Sequence, residues 1–377
     1  VVLILLAPVL TAHLFNHETI REQLTNRVSA DTGTGLDFQN VYLTILPRPY
    51  LNVTHLQVTE GTEASVNADA ARIYPKLRPL FSGRLEFDRI SLESPDYTLQ
   101  LPIIPDSAEP SEQPGGIDDV HRQLDRFRYL MSQLAPMDIP DVELTVRNGR
   151  VILIDMANNR PAFELRHINA HYERYQSRMD FTIDCMSNAF KEIAIKGWVD
   201  PNTFKGIARV DLAAFQPEGV INYFFPDATL QISDAQLNIT LDIDAEGKDQ
   251  IQIDLTGSMP RMQINNNETR LDFSDQQFRA ELTLEKESLG FHLTDFSSAA
   301  PRMNLTGDFS IDDEARSVDL HLVGGSVDVA SVRSTALFLL GHEETVTDVF
   351  DILREGSIPQ MTVTASGSRL SDLAWAR

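Results

Sequence analysis

Cysteine is almost missing from this chain. Cys185 stands alone, so no intramolecular disulfide and no multi-cysteine zinc site can form. Tryptophan is nearly as scarce: Trp198 and Trp375 are the only two, a poor supply for a carbohydrate site built on exposed aromatic rings. Basic residues are heavily outnumbered, 32 Lys and Arg against 55 Asp and Glu, for a net charge of -23. That balance argues against nucleic acid as a partner and against general adhesion to anionic membrane surfaces. No glycine-rich dinucleotide fingerprint, phosphate loop or nucleophile elbow occurs, and no exact internal repeat. The reading is therefore of a non-enzyme with no catalytic residues, no metal and no cofactor.

What the chain does have is alternation. Its hydrophobic content of 42% is that of a globular protein, and 377 residues suffice for two ordinary domains or one extended one. Beyond Pro140, apolar residues recur at every second position in run after run, which predicts half-buried β-strands. The turns between runs are marked by Asn148-Gly149, Asp200-Pro201-Asn202, Asp242 to Gly247 and Asp312-Asp313-Glu314. Helical spacing interrupts the pattern near 217–225 and over 329–354, the latter in two pieces, Val329 to Leu340 and Glu344 to Arg354.

The first hundred residues are organised differently. Val1 to Phe15 is apolar and carries no formal charge. A spanning helix needs about 20 such residues and a secretory h-region fewer, so a truncated anchor over 1–16 and a signal sequence compete. The absence of a small-x-small cleavage site favours the anchor. Glu18, Ile20, Leu24 and Val28 continue at helical spacing, and strands follow to Leu101. The stretch 102–116 holds Pro102, Pro105, Pro110, Pro114 and Gly115-Gly116 among acidic and serine residues, the composition of a flexible linker. Ile117, Val120, Leu124, Phe127, Met131 and Leu134 then mark an amphipathic helix over 117–136, ahead of an extended sheet region over 137–377.

Alternation poses an energetic question. In runs such as Ile239, Leu241 and Ile243, the intervening Thr240 and Asp242 leave one face polar and the other apolar. Each large aliphatic side chain left in water forgoes roughly 1.5–3 kcal/mol, and the net stability of a domain is only about 5–15 kcal/mol. Something must shelter that face, and a few short helices cannot cover so many strands. A sandwich or barrel does so, and is the commoner solution. A trough occupied by apolar ligand does so as well.

Two segments bear on the choice. Pro49-Tyr50-Leu51-Asn52-Val53-Thr54-His55-Leu56-Gln57-Val58 and, after Ala71 and Ile73, Pro79-Leu80-Phe81-Ser82-Gly83-Arg84-Leu85 with Ile90 to Pro95 follow a spaced pattern. This order resembles the N-terminal region of AsmA-like proteins, bacterial proteins anchored in the inner membrane with a long periplasmic β-structure. Phe81 stands where leucine is usual, and the resemblance covers about the first hundred residues. It implies a mainly β fold: a long, curled antiparallel sheet folded over into an apolar groove, with an N-terminal membrane helix over 1–16, an AsmA-like helix-plus-sheet region over 17–101 and a few short covering helices. It implies too a single-pass inner-membrane protein whose bulk is periplasmic, carrying phospholipid or another acyl-chain lipid between membranes. A non-enzymatic scaffold or assembly factor for outer-membrane and envelope proteins is the alternative. In such a groove, alternation assigns the lining to Ile193, Ile195, Val199, Phe204, Val210, Leu237, Ile239, Leu241, Ile243, Ile251, Ile253, Leu255, Phe278, Leu282, Leu305 and Leu320.

Polar constellations point elsewhere only faintly. His167 and His171 lie four apart, a metal spacing for a helix, but in a strand-like run. Asp242, Asp244 and Glu246 imitate the start of a calcium loop, yet Ile253 occupies the position of its closing glutamate. Both are read as solvated surface.

Overall fold

Among the described residues, each of the eighteen strands ladders with a strand one or two places away in sequence order. The computed structural model describes residues 35–44, 48–60, 64–76, 78–79, 86–101, 142–155, 160–218, 231–247, 249–266, 269–286, 288–312, 315, 317–340 and 344–368. The expected anchor over 1–16, the helix after it, the linker at 102–116, the amphipathic helix at 117–136 and nearly all of the helix near 217–225 lie outside the described residues. The chain divides into two units, Val1–Ile103 with Met137–Asn188, and Ile104–Pro136 with Ala189–Arg377.

The first unit holds β1 (Gly35–Asp37), β2 (Asn40–Thr44), β3 (Tyr50–Glu60), β4 (Ala64–Pro75), β5 (Phe87–Glu93), β6 (Asp96–Leu101), β7 (Glu143–Asp155), β8 (Arg160–Tyr175) and β9 (Arg178–Ser187). Both β1 and β2 ladder onto β3, and both β5 and β6 onto β4. Each of these pairs is one line of chain broken by an irregularity, the second at Ser94-Pro95. The expected all-antiparallel sheet needs a correction here, because β7 runs parallel to β5 and β6. Parallel neighbours cannot be joined by a tight turn and need a crossover of a dozen residues or more. Residues 102–142 supply that connection, so the proline-rich break separates stretches of chain without ending the sheet. One apolar row crosses the unit through Val41, Val53, Ala71, Leu92, Val146, Ala170 and Ile183. At the β2–β4 end it is sealed: Phe38, Val41, Leu51, Val53 and Ala71 form a buried cluster.

Asn148-Gly149 reads in sequence as a hairpin turn, and that expectation also needs correcting. Both residues lie inside β7, where Asn148 takes a left-handed φ of 52°. His55 in β3, Ser94 between β5 and β6, and His167 in β8 do the same. The ladder is interrupted at each, so the sheet bends along a line of bulges. Side chains span that crease: Asn148 Oδ1 accepts from His167 Nδ1 at 2.8 Å, and the Asn148 backbone N–H donates to Asn169 Oδ1 at 3.1 Å.

The second unit is simpler. β10 (Glu192–Val199), β11 (Lys205–Phe215), β12 (Gln231–Glu246), β13 (Gln250–Asn266), β14 (Thr269–Glu285), β15 (Ser288–Ser298), β16 (Met303–Asp312), β17 (Ser317–Asp328) and β18 (Ser357–Gly367) follow one another as an antiparallel meander. Between β17 and β18 come α1 (Val329–Leu340) and α2 (Glu344–Ile352), as the helical spacing predicts. Asp328 caps α1, its carboxylate accepting from the Ala330 N–H at 3.1 Å. Arg333 joins the helices by donating to the Phe350 carbonyl at 2.9 Å. α1 packs on β14 and β17.

Candidate functional site

The register of the nine-strand sheet decides which side chains share a face. Starting from Ile195, the cross-strand partners run Val210, Leu241, Leu255, Ala280, Leu293, Gly307, Leu322 and Val363. The next row on the same face begins at Gly197 and continues through Ala208, Ile243, Ile253, Leu282, Phe291, Phe309, Leu320 and Ala365. Rows starting at Val199 and at Ile193 are alike, the latter passing through Leu212, Ile239, Gly257, Phe278, Phe296, Leu305, Gly324 and Met361. In all four rows every position is apolar or glycine. The opposite face carries Lys196, Arg209, Asp242, Asp254, Glu281, His292, Asp308, His321 and Thr364 in a single row.

Of the sixteen residues that the sequence reading assigns to a groove lining, fourteen lie in these four rows, and Leu237 and Phe204 are placed otherwise. Leu237 pairs with Phe215 just beyond a bulge, and by alternation stays on the face of Ile239. Phe204 sits in the turn between β10 and β11, with φ 59° and 43% exposed, outside the rows. That turn is held by Asp200, whose carboxylate accepts from the Asn202 N–H at 2.8 Å, and this bond holds its carboxyl below the usual range. Sequence reasoning left out the whole of β15, with Leu289, Phe291, Leu293 and Phe296, and Met361, Val363 and Ala365 of β18. Their alternation was visible. What assigns them to the face is the register, which no single run of sequence contains.

Burial separates a packed core from an open face. In a sandwich the inner side chains of both sheets are enclosed. Here Val318 is fully buried, as are the small Ala280 and Ala365, while the remaining large side chains of the rows stay partly accessible. Full enclosure begins beyond the bulges at the end where α1 packs, at Ile264, Phe273, Val327 and Val329. Gln276 is buried there with its Nε2 donating to Ser298 Oγ and the Ala300 carbonyl, both at 3.4 Å. The rows are therefore partly accessible along their length and enclosed at one end.

Polar chemistry is dispersed by comparison. Among the described residues, no group of acidic, histidine or cysteine side chains is placed to hold a metal ion. His167 and His171 lie on β8 with His167 exposed. Asp242 pairs across strands with Arg209 at 3.2 Å, and the Arg209 and Thr240 hydrogen bonds hold the Asp211 carboxyl below its ordinary value. Burial, with the Asp184 charge beside it, pushes the Cys185 thiol up to about 11, which removes it as a nucleophile at neutral pH. No described helix is long and apolar enough to cross a membrane. Set against known protein families and curated protein sequences, the chain matches none.

Proposed function

We propose that the apolar face of the second unit binds the acyl chains of a phospholipid or a similar lipid, and that the protein is a non-enzymatic lipid carrier. The observation that supports this reading is the four unbroken rows of apolar residues and glycine across nine strands, left partly accessible instead of packed. No polar ring divides the rows, so an acyl chain lying across the strands meets no desolvation barrier. In the fuller form of the reading the protein is anchored in a bacterial inner membrane and carries lipid through the periplasm toward the outer membrane. The AsmA-like arrangement of Pro49 to Val58 and Pro79 to Pro95 favours that setting.

The test places a photo-crosslinking amino acid at Ile239 or at Thr240, neighbours on opposite faces. Lipid captured at Ile239 and not at Thr240 is the expected result, with mass spectrometry of the adduct identifying the lipid class. Equal capture at both positions, or capture at neither, would reject the carrier.

A further inference from the structure

The creased sheet of the first unit has a hollow at its crease. His55 (φ 52°), Ser94 (φ 48°) and Asn148 (φ 52°), three of the residues that bend it, line a single open cavity of about 540 Å³. Proteins hold small molecules in cavities of roughly 300–1,000 Å³. Bulges re-aim side chains, and here they do so on three neighbouring lines of chain at one level. Register brings further polar groups to the same place. Gln57 on β3 faces Asn67 on β4, Asn67 faces Asp96 on β6, and Asp96 faces Arg150 on β7. Asp69, two residues on from Asn67, completes the lining that matters here.

Charge decides what fits. Arg150 is already engaged: its Nε and Nη2 donate to Glu164 Oε1 at 2.9 and 2.8 Å, and it meets Asp96 only at 3.8 Å. None of the described hydrogen bonds or ion pairs engages Asp69, Gln57 or Asn67. The unanswered charge in the hollow is therefore negative, which disfavours phosphate- and carboxylate-bearing ligands. No aromatic ring is among the lining residues, so nothing there encloses a quaternary ammonium, whose recognition relies on such rings. A primary ammonium offers three N–H donors instead, and the Asp69 and Asp96 carboxylates with the Gln57 and Asn67 amide oxygens are acceptors for them. Asp96 sits one strand across from Asn67 and Asp69 two residues along, which separates the two carboxylate positions by about 8 Å. We infer that this hollow binds a small aliphatic amine with an ammonium group at each end, one on Asp69 and one on Asp96. The site belongs to the first unit and makes no use of the apolar rows.

The experiment is calorimetric titration of the full chain with putrescine at about 0.15 M salt, where diffuse attraction to the net charge of -23 is screened. One saturable site is expected, and neither choline nor inorganic phosphate should compete for it. Asp69→Asn and Asp96→Asn should each weaken binding about tenfold, and Asn67→Leu, which alters no charge, about threefold. Asp254→Asn removes an equal charge from an exposed position on β13 and should bind as the parent does. An unchanged urea midpoint in each variant shows that the fold is kept. Absence of saturable binding would overturn the proposal. So would equal losses from Asp254→Asn and Asp69→Asn, the mark of charge attraction without a site, or displacement of putrescine by choline. Photo-capture at Ile239 reads a different unit, so the two readings fail separately.

Discussion

At the scale of single residues, the apolar face depends on gaps as much as on side chains. Gly257 lies opposite Phe278, and a Cβ built at Gly257 would fall 2.2 Å from the ring carbon Cζ. The ring fills the space over the glycine, an aromatic-over-glycine pairing that pins register. Gly257→Ala should therefore displace Phe278 and cost about 1–3 kcal/mol of stability, read as a fall in the urea midpoint. Gly290 makes the contrast, since the nearest atom to its Cβ position is 3.9 Å away. Gly290→Ala should stay within about 0.5 kcal/mol of the parent. The left-handed residues act at the same scale: Asn148, His55, Ser94 and His167 absorb the bend of the first sheet, a conformation in which asparagine and histidine are enriched. Their identities carry little warning of it, and Asn148-Gly149 suggested a turn for the same reason that it suits a bulge.

At the scale of the strand, alternation and register have separate consequences. Leu241 lies between Val210 and Leu255 in a row whose side chains remain partly accessible. In a closed core Leu241→Asp would strand a carboxylate and cost several kcal/mol. On an open face the carboxylate reaches water, so the variant should fold with a loss of about 1–2 kcal/mol while lipid recovered per mole of protein drops. Unfolding of the variant in urea and lipid extraction from the same preparation separate the outcomes. Global unfolding without a folded baseline would favour a packed core. Strand existence was legible in runs such as Ile239 to Ile243 and Ile251 to Leu255, and the polar intervals placed Thr240 and Gln252 on the other face. Phe204 was misplaced because a large apolar residue at a run's edge resembles its first member; only the Asp200 turn shows that the strand begins at Lys205.

At the scale of the whole molecule, the parallel β6–β7 pair sets a length requirement on residues 102–142. Deleting 106–115 keeps the connection well above the dozen residues a crossover needs, and the first unit should stay folded. Cutting the connection to four residues should abolish the parallel ladder. Hydrogen exchange at Val151 and Leu153, which ladder with Tyr97 and Leu99, distinguishes the two: protection retained in the short deletion and lost in the long one. Protection retained in both would mean that β7 is held by β8 alone.

What the chain determines by itself is local and periodic. A period of two, broken by turn residues, dictates strands with one wet and one dry face, and the spacing over 329–354 dictates a helix pair; these follow from backbone geometry within a few residues. The single cysteine leaves no intramolecular disulfide among these 377 residues before any fold is known. Tertiary structure alone decided that β7 runs parallel to β6, that β15 and β18 complete the apolar rows, and that bulges crease the first sheet. Each of these depends on the register between strands, which no single run of sequence contains. Many registers satisfy the same alternation, and only the simultaneous fit of neighbouring strands, with Gly257 beneath Phe278 and Val318 enclosed among its neighbours, selects one.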